Sequence, residues 1–215
     1  MEPGTGGLRD RKRKELFNRI ARTSLTLFIE KGYEATTLDE IANAAGISRR
    51  TFFYYFKSKE EVLLAYESSG FATALAPAIL AETSAREPLY VARASFIKLA
   101  AKYETEEAIV ADRMLRATEA LRLRKDGQFV QLERSLAEAF RTRWPDPARH
   151  DELRLTAMIA MGALRLALDE WRGEDAARPL AWHLQRAFAL LEETLVSVLR
   201  RNALRRDDAP TGPTR

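Results

Sequence analysis

The 215-residue chain contains no cysteine and only two histidines, His150 and His183. Disulfides, thiolate chemistry and cysteine-type zinc sites are thereby excluded, and most metal or acid–base sites lack their usual ligands. This usage fits a reducing cytoplasm, the compartment we expect. Strand signals are scarce, with no sustained period-2 alternation and no Asn-Gly or Asp-Gly hairpin turn. No apolar run approaches the roughly 18 residues of a membrane span, so no membrane partner is expected. The basic first twenty residues lack the apolar segment of a secretory signal. GxSxG, HExxH, GxxxxGK[ST] and CxxC motifs are all missing, and Gly4-Thr5-Gly6-Gly7 follows no strand. Adjacent carboxylates, such as Glu60/Glu61 and Glu192/Glu193, point to different faces of a helix. His150 sits beside two acids at a helix start, and His183 reads as a surface or interface histidine. An enzyme is not expected, and neither a metal nor a cofactor.

What is present is helical periodicity, punctuated by Gly, Pro and capping residues. The chain is 46% hydrophobic and 31% charged, enough to bury a core and keep a polar surface. Residues 1–60 hold 12 Lys+Arg against 8 Asp+Glu, whereas residues 61–215 hold 23 of each. All the excess positive charge therefore lies in the first quarter, beginning with Arg9, Arg11, Lys12, Arg13 and Lys14. It suits either a polyanion partner or a solvated basic tail. The spacing predicts helices over 9–31, 38–45, 48–56, 59–80, 89–103, 106–124, 129–144, 149–172 and 179–205. The fold class is all-α, with about nine helices in a three-helix N-terminal unit and a larger helical unit.

Residues 37–56 carry the functional signal. Thr37 and Glu40 form a T-x-x-E capping box, Gly46 marks a turn, and Ser48 caps the next short helix. Two short helices about a glycine turn have helix-turn-helix proportions, although such pairs are also common in all-α cores. Ile41, Ala42, Ile47, Phe52 and Phe56 would pack inward, leaving Arg49, Arg50, Phe53 and Tyr54 outward. That outer face of the helix has no acid of its own. Arginine forks suit guanine edges or phosphates, and phenol hydroxyls can donate to phosphate oxygens.

Residues 11–66 resemble the N-terminal domain of the TetR family of transcriptional regulators. The resemblance rests on LFIEKGYEATTLDEIANAAGIS, RRTFFYYF and KSKEEVLLA in order. It implies a sequence-specific DNA-binding regulator: a homodimeric repressor on double-stranded, pseudo-palindromic operator DNA, released by a small-molecule effector. An effector-free helix-turn-helix protein or an activator is the alternative. The implied domains are residues 9–58 for DNA binding, 59–206 for effector binding and dimerisation, and a disordered tail, 207–215. By position, Thr37 and Lys59 would meet phosphates. Ser48, Arg49, Arg50 and Thr51 would approach the major groove, with Tyr54 and Tyr55 contacting bases and phosphates. Phe53 stands where the family usually has tyrosine, so a thymine-methyl contact replaces a phosphate bond. The basic stretch 9–14 would precede the first helix as an arm toward DNA, or simply be mobile.

Residues Thr156–Leu168, TAMIAMGALRLAL, carry one charge, Arg165, in thirteen positions. Such a helix must be covered on nearly every side. Either a partner subunit covers one face, or the helix is the buried centre of a monomer. For a dimer interface, Ala157, Ala160, Gly162 and Ala163 permit close approach, and Phe188, Leu191 and Leu195 lie on a stripe of the last helix. The resembled family encloses its effector pocket among the middle helices, where Phe71, Tyr90, Phe96, Tyr103, Phe129, Phe140 and Trp144 lie. Aromatics at helical spacing also serve as ordinary core, so effector-binding residues stay unassigned. Arg113 and Arg116 among apolar neighbours suit an amphipathic anion. The wording RTFFYYF is also similar to an acyl-CoA-sensing, mycofactocin-regulator-like subgroup, which implies an acyl-CoA effector.

Overall fold

A computed structural model describes residues 6–68, 70–83, 87–117 and 119–207. Among them are ten α-helices, one 3-10 turn and no strand. The helices are α1 (Gly6–Lys31), α2 (Leu38–Ala44), α3 (Arg49–Tyr55), α4 (Lys59–Ser68) and α5 (Phe71–Ala81). They continue as α6 (Pro88–Tyr103), α7 (Glu106–Arg116), α8 (Glu119–Arg143), α9 (His150–Gly173) and α10 (Leu180–Asp207). The expected tail beyond 207, like Gly4 and Thr5, lies outside the described residues.

The local signals for α1–α3 translate directly into geometry. Gly32 takes φ +89° after α1 and Gly46 φ +66° after α2, left-handed values that glycine adopts without strain. Thr37 and Glu40 make their box reciprocally: the Glu40 amide donates to the Thr37 hydroxyl at 3.2 Å, and the Thr37 amide to the Glu40 carboxylate at 2.8 Å. The Ser48 hydroxyl accepts from the Thr51 amide at 3.1 Å, closing the first turn of α3.

Three expected boundaries are displaced. Helix α1 starts three residues before the 9–31 expected, so residues 9–14 lie inside it, as that range has them, and form a helical, exposed basic end and not an arm ahead of the helix. The helix expected over 59–80 breaks into α4 and α5, with Gly70 at the break. A Cβ at Gly70 would meet the Tyr103 ring at 3.0 Å, so the side-chain-free position admits that ring. The gap expected at Gly127 falls instead between α7 and α8, and Gly127 sits exposed within α8. A solvent-facing glycine is tolerated inside a long helix held by packing elsewhere.

Two cores result. The N-terminal core joins Ile20, Phe28, Ile41, Phe52 and Phe56, and it also takes Val62, Leu63 and Leu64 from α4 and Ala111 and Leu115 from α7. By packing, α4 therefore goes with the N-terminal unit, past the boundary expected after residue 58. The larger core draws on α5, α6, α8, α9 and α10, through residues such as Ile79, Phe96, Phe140, Leu164 and Phe188. Residues 59–81 are together long and apolar enough to cross a membrane by length and composition. Their apolar side chains instead divide between the two cores, Val62 and Leu63 in one, Leu75 and Ile79 in the other.

His183 departs from its expected surface place. It is fully buried, its Nδ1 3.5 Å from Glu170 and its Nε2 3.8 Å from Glu174, without a hydrogen bond to either nitrogen.

Candidate functional site

Helix α3 is held from behind and open in front. Phe52 is 0% exposed and its ring meets Phe53 edge-on and Phe56 at 5.9 Å. Phe17 of α1 closes on Phe56 at 4.6 Å, which fixes the helix's rotation about its own axis. With that face buried, Arg50, Phe53 (44% exposed) and Tyr54 (71% exposed) stand outward on one rigid surface. Two large aromatics on a soluble surface, beside a guanidinium, form a patch suited to stacking and groove contacts.

The two arginines are not equivalent. Asp39 of α2 approaches Arg49, whose Nη1 lies 2.9 Å from the carboxylate, and the guanidinium lies 5.7 Å from the Phe53 ring centroid. The face free of acids along α3 thus gains one from its neighbour. Arg50 has no ion pair or hydrogen bond among the described residues. It is the arginine left open for a partner.

Other expected contact residues are engaged within the fold. Thr37 is the α2 cap, and its hydroxyl also donates to Glu40 at 3.0 Å. Lys31 donates to Glu40 from the other side at 2.8 Å. Lys31 and the two Thr37 groups together hold the Glu40 carboxyl down to about 2. Ser48 and Thr51 bond each other through their hydroxyls at 2.9 Å. Tyr55 is half-buried against the N-terminal core, with its ring edge-on to Tyr54. The Lys59 ammonium donates to the Tyr33 carbonyl at 2.7 Å and lies 4.7 Å from the Tyr33 ring centroid. Lys59 therefore ties α4 to the turn that follows α1, instead of extending toward solvent. Burial and neighbouring Glu60 raise the Tyr33 hydroxyl above its ordinary value.

The dimer-interface residues divide in the same way. Ala157, Ala160, Ala163 and Phe188 are buried in the subunit's own core. Leu191 packs partly against that core, whereas Gly162 and Leu195 face outward. The outward apolar residues of α9 are Leu155, Met158 and Leu166; those of α10 include Leu190, Val198 and Leu199. Small residues let α9 approach its own neighbours, and larger ones cover its outer side. Arg113 and Arg116, read as partners for an anion, are paired with Asp175 and Asp112.

A cavity of about 600 Å³ takes Phe71, Tyr103 and Phe129 from the middle helices but not Tyr90, Phe96, Phe140 or Trp144, and sequence reasoning missed that its walls include Arg22, Leu25 and Thr26 of α1. Nothing in the spacing of α1 marks those positions, because their role depends on α7 and α9 arriving opposite.

A family model described as "Bacterial regulatory proteins, tetR family" matches residues 20–66, which span the C-terminal part of α1, all of α2 and α3, and the first turns of α4. Over 62 residues, 29% of this chain, it is 47% identical to the HTH-type transcriptional regulator TcmR of Streptomyces glaucescens. Residues 20–66 are thus of the TetR type. The TetR-type match to TcmR spans 27% of that relative. A second, 42% identical over 52 residues, covers 24% of this chain and 26% of the biofilm operon negative transcriptional regulator IcaR of Staphylococcus aureus (strain Newman). The chain thus spans only about a quarter of the length of these two curated relatives. Beyond the TetR-type domain, the fold is similar to that of Thermus thermophilus FadR, a TetR-family repressor solved with lauroyl-CoA. The TM-score is 0.58 at 29% identity, covering 82% of this chain and 93% of that one.

Proposed function

We propose that this protein is a sequence-specific DNA-binding transcriptional regulator, a homodimeric repressor whose operator is released when a small molecule enters the cavity. The observation that carries the reading is the outward face of α3, where Arg50, Phe53 and Tyr54 stand uncovered on a helix locked from behind by Phe52 and Phe56. An α-helix enters the major groove of B-DNA, and an unpaired guanidinium at its start can read guanine bidentately. The exposed basic turns of α1 supply sequence-independent attraction to phosphate. In a cytoplasmic regulator the uncovered apolar strip of α9 and α10 pairs with its symmetry mate, because isologous contacts are the commonest way of covering such a face. Repression, and not activation, follows the naming of IcaR as a negative regulator and FadR as a repressor.

The test is selection of bound duplexes from a random pool by the full chain at several salt concentrations. The expected product is a pseudo-palindrome whose half-sites lie about one helical turn apart, roughly 34–36 Å. Enrichment of no sequence, or of a single half-site bound by a monomer, overturns the reading. A helix-turn-helix protein without an effector is the second reading. The cavity walled by α1 favours the ligand-responsive form.

A further inference from the structure

The cavity of about 600 Å³ lies within the roughly 300–1,000 Å³ usual for small-molecule sites. Its apolar wall is rich in rings: Phe71 of α5, Tyr103 of α6, Phe129 of α8 and Trp171 of α9. Four lining residues carry charge: Arg22 of α1, and the carboxylates Glu104, Glu107 and Asp112. What such a wall accepts is decided by which of these charges is left without a partner.

The three carboxylates already have donors. Glu104 accepts from the Trp171 indole nitrogen at 2.7 Å and from the Leu180 amide at 2.8 Å. Asp112 lies 2.9 Å from both Arg116 and Arg172. Glu107, in the first turn of α7, accepts from its own amide and from the Thr105 hydroxyl, which hold its carboxyl below the ordinary value. Arg22 differs. It is the one lysine or arginine on the described wall, it is exposed, and its guanidinium has no ion pair or hydrogen bond among the described residues. Its field nevertheless reaches the Tyr66 hydroxyl, another lining group. Burial first and Glu107 next raise that hydroxyl above its usual value, while the Thr105 bond and Arg22 oppose the rise.

We infer that this cavity binds a monoanionic carboxylate with an apolar body, its head on the Arg22 guanidinium and its body against the ring wall. The guanidinium fork matches a carboxylate in two parallel hydrogen bonds. Because Arg22 is exposed, the head keeps part of its hydration, and only the apolar body leaves water. A cation would meet Arg22 with every lining carboxylate already engaged, and a neutral molecule would gain nothing from the guanidinium. A polyphosphate-bearing thioester would bring several charges to a wall with one open cation, since Arg116 and Arg172 hold Asp112 and Arg113 holds Asp175. The bound molecule also touches the DNA-binding unit directly: Arg22 and Leu25 lie on α1, and Leu25 belongs to the N-terminal core as well. The inference rests on the cavity being the effector site of the proposed regulator.

The experiment is calorimetric titration of the full chain, without DNA, using three probes of one shape: 4-phenylbenzoate, 4-phenylbenzyl alcohol and 4-phenylbenzylammonium. The expected result is one 4-phenylbenzoate per subunit, bound about tenfold more tightly than the alcohol or the ammonium ion. Arg22→Leu should weaken the benzoate about tenfold and leave the alcohol unchanged, a split that a merely structural arginine would not produce. Glu107→Gln should not weaken the benzoate, and Ala108→Trp, which fills the cavity from α7, should abolish its binding. In a second pair, laurate should bind at least as tightly as lauroyl-CoA. The inference is overturned if 4-phenylbenzoate does not bind, if the alcohol or ammonium ion binds as tightly, or if lauroyl-CoA binds more tightly than laurate. It is equally overturned if Arg22→Leu spares the benzoate or weakens benzoate and alcohol alike, if Glu107→Gln costs as much as Arg22→Leu, or if Ala108→Trp still binds. Operator binding by the unaltered chain is measured separately. Benzoate binding without any operator would sink the regulator reading and leave the ligand assignment standing.

Discussion

The N-terminal unit and the larger helical unit use similar materials in opposite ways. In the first, capping hydroxyls and some core rings find partners within a few residues, as in Thr37–Glu40, Ser48–Thr51 and Phe52–Phe56, although Phe17 reaches Phe56 from α1. In the second, the groups that meet come from far apart: Glu104 with Trp171, Asp112 with Arg172, and Arg93 with Glu192 at 3.0 Å. Local pairing makes a rigid surface that presents side chains outward. Distant pairing makes a hollow interior and an uncovered apolar strip. One unit is built to display, the other to enclose.

The largest effect that would test this contrast is Phe52→Ala. Deleting a fully buried ring should cost about 3–5 kcal/mol. The N-terminal unit should unfold while the larger core persists, which appears as two transitions in thermal unfolding followed by circular dichroism. A single transition with unchanged midpoint would show that the two cores are not separately stabilised by their own packing.

Next is the outer strip. Gly162 is exposed and an added Cβ there meets nothing within 4 Å. Gly162→Glu should therefore leave the subunit folded yet abolish the dimer, because an unpaired charge in an apolar seam costs several kcal/mol. Ala160→Glu, on the opposite, buried face of the same helix, should instead destabilise the subunit itself. Sedimentation and melting curves of the two variants separate the faces, and a dimeric Gly162→Glu protein would displace the interface from α9.

Smaller again is the split between the two arginines. Arg50→Ala should flatten preference at one base pair per half-site by about 1–3 kcal/mol. Arg49→Ala should do less, since Asp39 already engages that guanidinium. Binding to a mutated operator series distinguishes them; equal effects would mean that DNA breaks the Asp39 pair.

A pH dependence at the α2 cap is the mildest expectation. The folded Glu40 carboxyl is held down to about 2, below its ordinary value of about 4.3. Its stabilising contribution is present above the ordinary value and fades as pH falls toward 2. Glu40→Gln should therefore be less stable than the unaltered chain at pH 6, and the gap should narrow by pH 3. A gap independent of pH would assign the effect to packing alone.

The same contrast explains what could be read from sequence. The caps at Thr37 and Ser48, the turn at Gly46 and the buried pair Phe52 and Phe56 all depend on near neighbours, so spacing revealed them. The Asp39–Arg49 pair, the Gly70 break against Tyr103 and the inward rotation of Ala157, Ala160 and Ala163 depend on which helix lies opposite. A helix apolar on nearly every side, such as α9, has no stripe to announce its rotation. Its alanines were thus equally compatible with a partner chain and with its own core, and the structure turns them inward.

Helix α7 serves both interiors with one short row of side chains: Ala111 faces the cavity and also belongs to the N-terminal core, with Leu115 one turn further on. A genetic selection for chains that keep the operator but ignore the ligand would be biased by this sharing. Changes at 111 alter two traits together and vanish from the survivors as misfolded protein. Ligand-blind alleles should accumulate instead at positions such as Gln128 and Leu168, which line the cavity and take no part in the N-terminal core, leaving position 111 silent in the mutational spectrum although it borders the cavity.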